Sequence, residues 1–188
     1  MRTALTAIAS TVFIAISAFA WAEIDIGPAV GSKIPAGFTA LDQTGAQKRF
    51  DDITGEKGVV LSFVRSADWC PYCQQQMINL QTITDDLAER GYTLATLSYD
   101  SPAVLEKFAK RRNISYIMLS DEKSAMIDAF DLRDPAYQEG SKAHGVPRPA
   151  IFIISPEGVI RGKLAEDSFK VRPSVEAVLI EVDGITRQ

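Results

Sequence analysis

Cys70 and Cys73 are the only cysteines of the chain, and Pro71 and Tyr72 separate them in the run Trp69-Cys70-Pro71-Tyr72-Cys73. Two sulfurs so spaced on a helical turn can close a short-loop disulfide, and the second can expel whatever the first has bonded. That is the cycle of a dithiol oxidoreductase. The nucleophile in this chemistry is the thiolate. A helix start offers unpartnered backbone N–H groups and partial positive charge, so a sulfur placed there is stabilised as the anion. Pro71 suits the first helical position, because its fixed φ is helical and the N–H it lacks has no intrahelical partner there. Two other uses of the pair are weaker. A purely structural disulfide across so short a loop restricts the unfolded chain little. Structural zinc needs four ligands, and beyond these two sulfurs the chain offers one histidine, His144, and no further cysteine.

The elements around the pair follow from periodicity. Residues 59–64, Val-Val-Leu-Ser-Phe-Val, form a continuously apolar run, as expected of a strand covered on both faces. From 71 to 90, Met77, Leu80, Ile83 and Leu87 recur at helical spacing, and Gly91 supplies a stop. Upstream, residues 25–35 read as an extended lead-in, and 38–42 with 47–50 flank a hairpin turn at 43–46. Downstream come a strand over 92–99, a helix from Pro102 to near Asn113, a strand over 114–119 and a short helix over 124–130. Residues 131–144 show no period and form a loop of functional length. A hairpin follows, 150–154 and 159–164 around Pro156-Glu157-Gly158, and a last helix from 174 to 182 ends at Gly184. Strands alternating with helices call for a mainly parallel central sheet, with the closing hairpin adding antiparallel strands. The cysteines then lie at the carboxyl end of a central strand, where open α/β sheets place their sites.

A chain of 188 residues with 46% hydrophobic content can bury the core of one domain without cross-links. Its net charge of −4 and the lack of a basic face exclude nucleic acid as a partner. Met1-Arg2, an apolar run from Ala4 to Ala20, and Ala20-Trp21-Ala22 before Glu23 have the three parts of a secretory signal. The expectation is a leader over 1–22 cut after Ala22, a single domain over 23–188, a periplasmic or secreted location, and no stable membrane insertion once the leader is gone. Disulfides persist outside the cytoplasm, and spending both cysteines on one motif favours chemistry over stapling.

With these segments in place the chain resembles the thioredoxin superfamily, and within it the redoxin branch, which holds the peroxiredoxins of the AhpC-TSA type and exported thioredoxin-like reductases. Four segments carry the resemblance: residues 30–38 with the Leu41-Asp42…Gly45 hairpin, 59–63, the Cys-Pro-Tyr-Cys motif, and Pro149 through 154 with Pro156-Glu157-Gly158. It implies an α/β, thioredoxin-like three-layer fold, a central mixed sheet flanked by helices, with an N-terminal redoxin-type hairpin. It also implies that Pro149 is the cis-proline that lies against the disulfide and helps hold the substrate. The chain departs from the peroxiredoxin pattern of a Thr or Ser three residues before the peroxidatic cysteine and an Arg opening the later strand. Those positions hold Cys70 (or Ala67, if Cys70 is peroxidatic) and Pro149, with Arg148 beside it and Arg65 a possible substitute. Ser62 replaces the buried Asp of thioredoxin, which leaves Asp68 as the candidate proton acceptor for Cys73.

The leading expectation is an exported thiol–disulfide oxidoreductase. Cys70, the more exposed sulfur, attacks a protein or small-molecule disulfide; Cys73 resolves the mixed disulfide; Trp69, Tyr72 and Pro149 line the substrate site. An upstream thiol donor supplies electrons, and no metal or organic cofactor is needed. The alternative is a thiol-dependent peroxidase in which one cysteine becomes a sulfenic acid and the other condenses with it. A third reading is a copper-handling module using Cys70, Cys73 and His144.

Overall fold

The computed structural model describes residues 26–187, so the leader over 1–22 lies outside the described residues. Its elements are β1 (Thr39–Asp42), β2 (Gln47–Arg49), β3 (Gly58–Phe63), α1 (Pro71–Gln81), α2 (Thr84–Glu89), β4 (Tyr92–Ser98), α3 (Pro102–Arg112), β5 (Ile117–Ser120), α4 (Ala125–Ala129), β6 (Ala150–Ile154), β7 (Ile160–Ala165) and α5 (Val175–Thr186). The strands form one seven-stranded sheet in the order β2-β1-β5-β4-β3-β6-β7.

Only the middle of that sheet is parallel: β3 pairs with β4 and β4 with β5, whereas β1–β2, β1–β5, β3–β6 and β6–β7 are antiparallel. The central pairs are parallel as the alternation of strands and helices calls for, and the sheet as a whole is mixed, as the resemblance implies. Both hairpins contribute outer strands, which short turns can join only in antiparallel fashion. In the first, Asp42 Oδ1 accepts from the N–H groups of Thr44 and Ala46 at 2.8 and 3.0 Å, while Gly45 takes a φ of 84°.

Every residue of β3 is buried. Side chains alternate faces along a strand, so Val60 joins a cluster with Met77 and Leu80 of α1, Leu105 and Phe108 of α3, and Val178 and Val182 of α5. Val59, Leu61 and Phe63 pack on the other face with Ile127 of α4, Phe130 and Phe152. The result is the three-layer arrangement that the resemblance implies. Phe152 lies 5.8 Å from Phe63 and 5.6 Å from Phe130, ring centre to ring centre, and truncating such a residue typically costs about 3–5 kcal/mol.

The helix expected over 71–90 is two helices. Thr82 N–H and Ile83 N–H bond back only three residues, to Asn79 and Leu80, and the Thr82 and Thr84 hydroxyls bond to the carbonyls of Asn79 and Gln81. Such side-chain bonds compete with the helical ladder in this β-branched run. The last helix continues through Gly184 to Thr186. Among the described residues no helix is long and apolar enough to cross a membrane.

Candidate active site

Between β3 and α1 the chain turns through residues 64–69, and Asp100, just past β4, fixes that turn. The buried Asp100 carboxylate accepts from Ser66 Oγ at 2.7 Å, from Ala67 N–H at 2.7 Å and from Ser98 Oγ at 2.8 Å. Ser66 Oγ in turn accepts from the N–H groups of Asp68 and Trp69. Burial pushes the Asp100 carboxyl above its usual range despite these bonds, because desolvation penalises the anion. Cys70 is then the N-cap of α1, its extended backbone (φ −97°, ψ 100°) leading into Pro71 at the first turn, and its sulfur accepts from Cys73 N–H at 3.4 Å.

Cys70 and Cys73 are joined as a disulfide, with Cα atoms 5.3 Å apart. Neither sulfur is open to solvent: Cys70 is 2% exposed and Cys73 is 0% exposed. This corrects the picture of Cys70 as a sulfur presented at the surface. Cys73 Sγ accepts from the backbone N–H of Arg65 and from Arg172 Nη2, each at 3.4 Å. Desolvation, and then the charge of Arg65, lower Arg172 to about 10, which leaves it protonated at neutral pH. Arg65 has a side chain 1% exposed, and its guanidinium pairs with Asp134 at 3.3 Å. It also lies over the rings of Phe169, Tyr137 and Trp69 at 4.2, 4.8 and 5.5 Å.

Two loops therefore cover the sulfurs. The loop after α4 is stitched at its base by bonds from Asp134 N–H to Val146 O and from Arg148 N–H to Leu132 O, and it delivers Asp134 and Tyr137. The loop between β7 and α5 delivers Phe169, whose ring meets Tyr72 edge-on at 6.2 Å, and Arg172. Trp69 Nε1–H donates to Tyr99 Oη at 2.8 Å, and Tyr99 donates to Lys142 O at 3.2 Å, which ties the rim to the first loop.

The expected site residues fare differently. Trp69 and Tyr72 stand at the rim, 43% and 42% exposed. Pro149 does not have the expected cis bond, since no peptide among the described residues is cis. The Arg133–Pro147 bridge and the Arg148 N–H bond hold the segment entering β6 extended, a path that a trans bond satisfies. Pro149 lines a cavity of about 480 Å³ together with Asp134, Tyr137 and Phe169, behind Arg65. Arg148 Nη2 donates to Asp131 O. Asp68 is exposed, and Ser62 Oγ is buried without a partner among the described residues. His144 is engaged elsewhere: Nε2 faces Arg133 Nη1 and Nδ1 faces Tyr137 O, both at 3.1 Å. The described residues hold no cluster of metal-ligating side chains, so the copper reading has no site built from the two sulfurs and His144. Arg172, Phe169 and Gln76, a buried residue one turn after Cys73, are absent from the sequence reading, and nothing local marks them. Asp100 belongs there only to the Asp100-Ser101-Pro102 start of the helix that runs to near Asn113.

A disulfide-bonded cysteine pair at the amino end of a helix, beyond the carboxyl end of the interior strand β3 of a mixed sheet in a three-layer fold, fits a thioredoxin-like protein of the redoxin branch. The chain belongs to the AhpC/TSA family, whose profile matches residues 30–163, and it is an oxidoreductase. It is similar to peroxiredoxin Bcp of Escherichia coli K12, 26% identical over 154 residues, covering 82% of this chain and 96% of that protein. Among solved structures it is similar to peroxidoxin BcpB from Mycobacterium tuberculosis, with a TM-score of 0.70 and 23% identity over 83% of this chain and 97% of that one. Xanthomonas campestris peroxiredoxin Q aligns with a TM-score of 0.68 and 20% identity, covering 82% and 96%.

Proposed function

We propose that the protein is a thiol-dependent peroxidase in which Cys73 is the peroxidatic sulfur and Cys70 resolves it. The observation that carries this is the setting of Cys73 Sγ: fully buried, and within 3.4 Å of both the Arg172 guanidinium and the Arg65 N–H. The Arg172 cation and the Arg65 N–H favour the thiolate against the burial that opposes it, and a covered sulfur suits a small oxidant better than a disulfide on a protein. Family membership and the peroxiredoxin names of the relatives support the same reading. It is the alternative rather than the leading expectation from sequence that fits the site.

In the first step the Cys73 thiolate attacks the terminal oxygen of a hydroperoxide. The S–O bond forms as the O–O bond breaks, leaving a sulfenic acid and an alkoxide that takes a proton from solvent. Arg172 holds positive charge where negative charge passes from sulfur to the leaving oxygen. Cys70, one turn away, then attacks Cys73 Sγ: the disulfide forms, the S–O bond breaks and water leaves with the Cys70 proton. Two thiols of an upstream donor restore the dithiol and leave as a disulfide. The exposed rings of Trp69 and Tyr72 suit docking of that donor. The leader sequence supports work outside the cytoplasm, with a mature chain beginning at Glu23, which mass measurement of the exported protein checks.

The experiment is steady-state consumption of hydrogen peroxide and of cumene hydroperoxide with dithiothreitol as reductant, run beside insulin reduction. Peroxide turnover with negligible insulin reduction is expected. Fast insulin reduction without peroxide turnover overturns the proposal and restores the disulfide reductase.

A further inference from the structure

Two guanidinium groups lie under the cover of the sulfurs, and they differ in their counter-charge. Arg65, its side chain 1% exposed, pairs through Nη1 with Asp134 Oδ2 at 3.3 Å. Arg172 donates to the carbonyls of Phe169 and Val171 and to Cys73 Sγ, and it makes no ion pair among the described residues. The two cations feel each other, since the charge of Arg65 helps to lower Arg172. Arg65 is also tied to the sulfur by its backbone, whose N–H bonds Cys73 Sγ at 3.4 Å. The rings of Phe169, Tyr137 and Trp69 surround its guanidinium, so charges here are screened less than at an open surface. The Asp134 carboxylate, 14% exposed, is itself fixed, because Oδ1 accepts from Ala136 N–H at 3.0 Å. Of the other charged groups near the cysteines, Asp68, Lys142 and Lys170 are exposed, and Asp100 is taken up by Ser66, Ser98 and Ala67 N–H.

Arg65, Arg172 and Asp134 thus set two positive charges and one negative beside the joined cysteines. A single thiolate brings that group to neutrality. We propose that Asp134 sets the charge of the reactive pair: by offsetting Arg65 it leaves one cation, Arg172, to stabilise one thiolate, Cys73. Asp134 touches neither sulfur and acts through Arg65, as a positioning residue. A buried arginine needs a counter-ion in any case, and that need alone would make Asp134 no more than a staple of the loop after α4. The charge-setting role requires something further. Removing the anion must make the thiolate easier to form, and must also make the disulfide easier to reduce, because the reduced form is then stabilised. In that reduction a donor thiolate bonds one protein sulfur as the Cys70–Cys73 bond breaks, and the expelled sulfur leaves as a thiolate. The donor's second thiolate then displaces the protein sulfur, and the donor departs as a disulfide. The role concerns the thiolate whatever oxidant it meets, so it stands apart from the peroxidase reading.

The test reads thiolate formation and access to sulfur separately. Absorbance at 240 nm against pH on reduced protein gives the midpoint of the first thiol, and iodoacetamide alkylation above that midpoint gives access. Asp134→Asn keeps an oxygen for Ala136 N–H and removes only the charge. Its midpoint is expected about half a pH unit or more below the parent's, and its equilibrium with glutathione about threefold further toward the dithiol. Alkylation above the midpoint should stay within about twofold of the parent, because a lower thiol pKa changes nucleophilicity only weakly. An unchanged or raised midpoint overturns the inference, and so does a several-fold rise in alkylation, which marks a loop that has merely opened. Arg65→Met serves where the first variant does not fold. It leaves the carboxylate without its cation, so the midpoint should rise. Arg65→Met/Asp134→Asn removes a neutral pair and should return the midpoint to within about 0.3 of the parent's. A double variant that stays with Arg65→Met denies Asp134 any charge role. Peroxide consumption enters none of these readouts, so failure of the peroxidase reading is a separate result.

Discussion

Arg172 Nη2 lies 3.4 Å from Cys73 Sγ although 99 positions separate the two residues in sequence. In the disulfide state this guanidinium faces a second one, Arg65, and the repulsion between them contributes to its lowered pKa. Arg65 has Asp134 as counter-ion, whereas Arg172 meets sulfur. Reduction to the Cys73 thiolate places a negative charge beside it. Arg172→Met is therefore expected to raise the Cys73 pKa toward the free value of about 8.5 and to lower the peroxide rate at pH 7 by about tenfold or more. Absorbance at 240 nm against pH, on reduced protein, measures the first, and an unchanged titration removes Arg172 from the mechanism.

The roles of the two sulfurs separate under substitution. Cys73→Ser is expected to abolish peroxide consumption, while Cys70→Ser still reacts once and stops as the sulfenic acid, because no second thiol is within reach to expel water. Mass spectrometry of a dimedone adduct on Cys73 in the Cys70→Ser protein checks this. An adduct on Cys70 in the Cys73→Ser protein, with retained turnover, would exchange the assignments.

What the chain discloses about this site depends on range. The strand, turn and helix from Val59 to Cys73 are legible because their signals are local: an unbroken apolar run, a proline at the first helical position and helical spacing beyond it. The break at Thr82-Ile83-Thr84 is less so, since the hydroxyls that compete with the helix there lie inside an otherwise regular apolar period. The geometry of Pro149 is set by the bridge between Arg133 and Pro147, a pairing across a loop with no periodic pattern. Arg172 reaches Cys73, and Phe169 reaches Arg65 and Tyr72, from the loop before α5, and no spacing rule carries that distance. Asp100 reads as a helix-start residue until β4 places it under the active-site turn.

Asp100 gives a prediction with a sign. A carboxyl whose folded pKa lies above its ordinary value of 3.8 contributes stability that is complete below 3.8 and is lost as pH rises through the folded pKa. Asp121, raised by burial while accepting from three N–H groups at the start of α4, acts the same way. Asp100→Asn removes one of these two contributions, so stability should decline less steeply with pH just above 3.8 than in the parent. It also turns an amide N–H₂ toward donors that Asp100 now satisfies, at a cost of about 1–3 kcal/mol at pH 7. Urea titrations at several pH values test both statements, and an unaltered slope above 3.8 contradicts the first.

The cover over the disulfide must open for the reductant, and Phe169 is where it is pinned. Its ring lies under the Arg65 guanidinium at 4.2 Å and meets Tyr72 edge-on at 6.2 Å, so it joins the loop before α5 to both the active-site turn and α1. A thiol donor must bring its sulfur into line with the disulfide, and at 2% and 0% exposure neither Cys70 nor Cys73 allows that approach. Reduction thus waits on displacement of residues 166–173. Phe169→Ala loses a cation–π contact, worth about 2 kcal/mol where it is desolvated, and an edge-on pair worth about 1 kcal/mol. Reduction by dithiothreitol should then accelerate by about tenfold or more, because the open form is more populated, while the peroxide rate of the reduced protein falls less. If reduction of the Phe169→Ala disulfide is no faster than in the parent, the loop is not the barrier, and access to sulfur is controlled from the Tyr137 side of Arg65 instead.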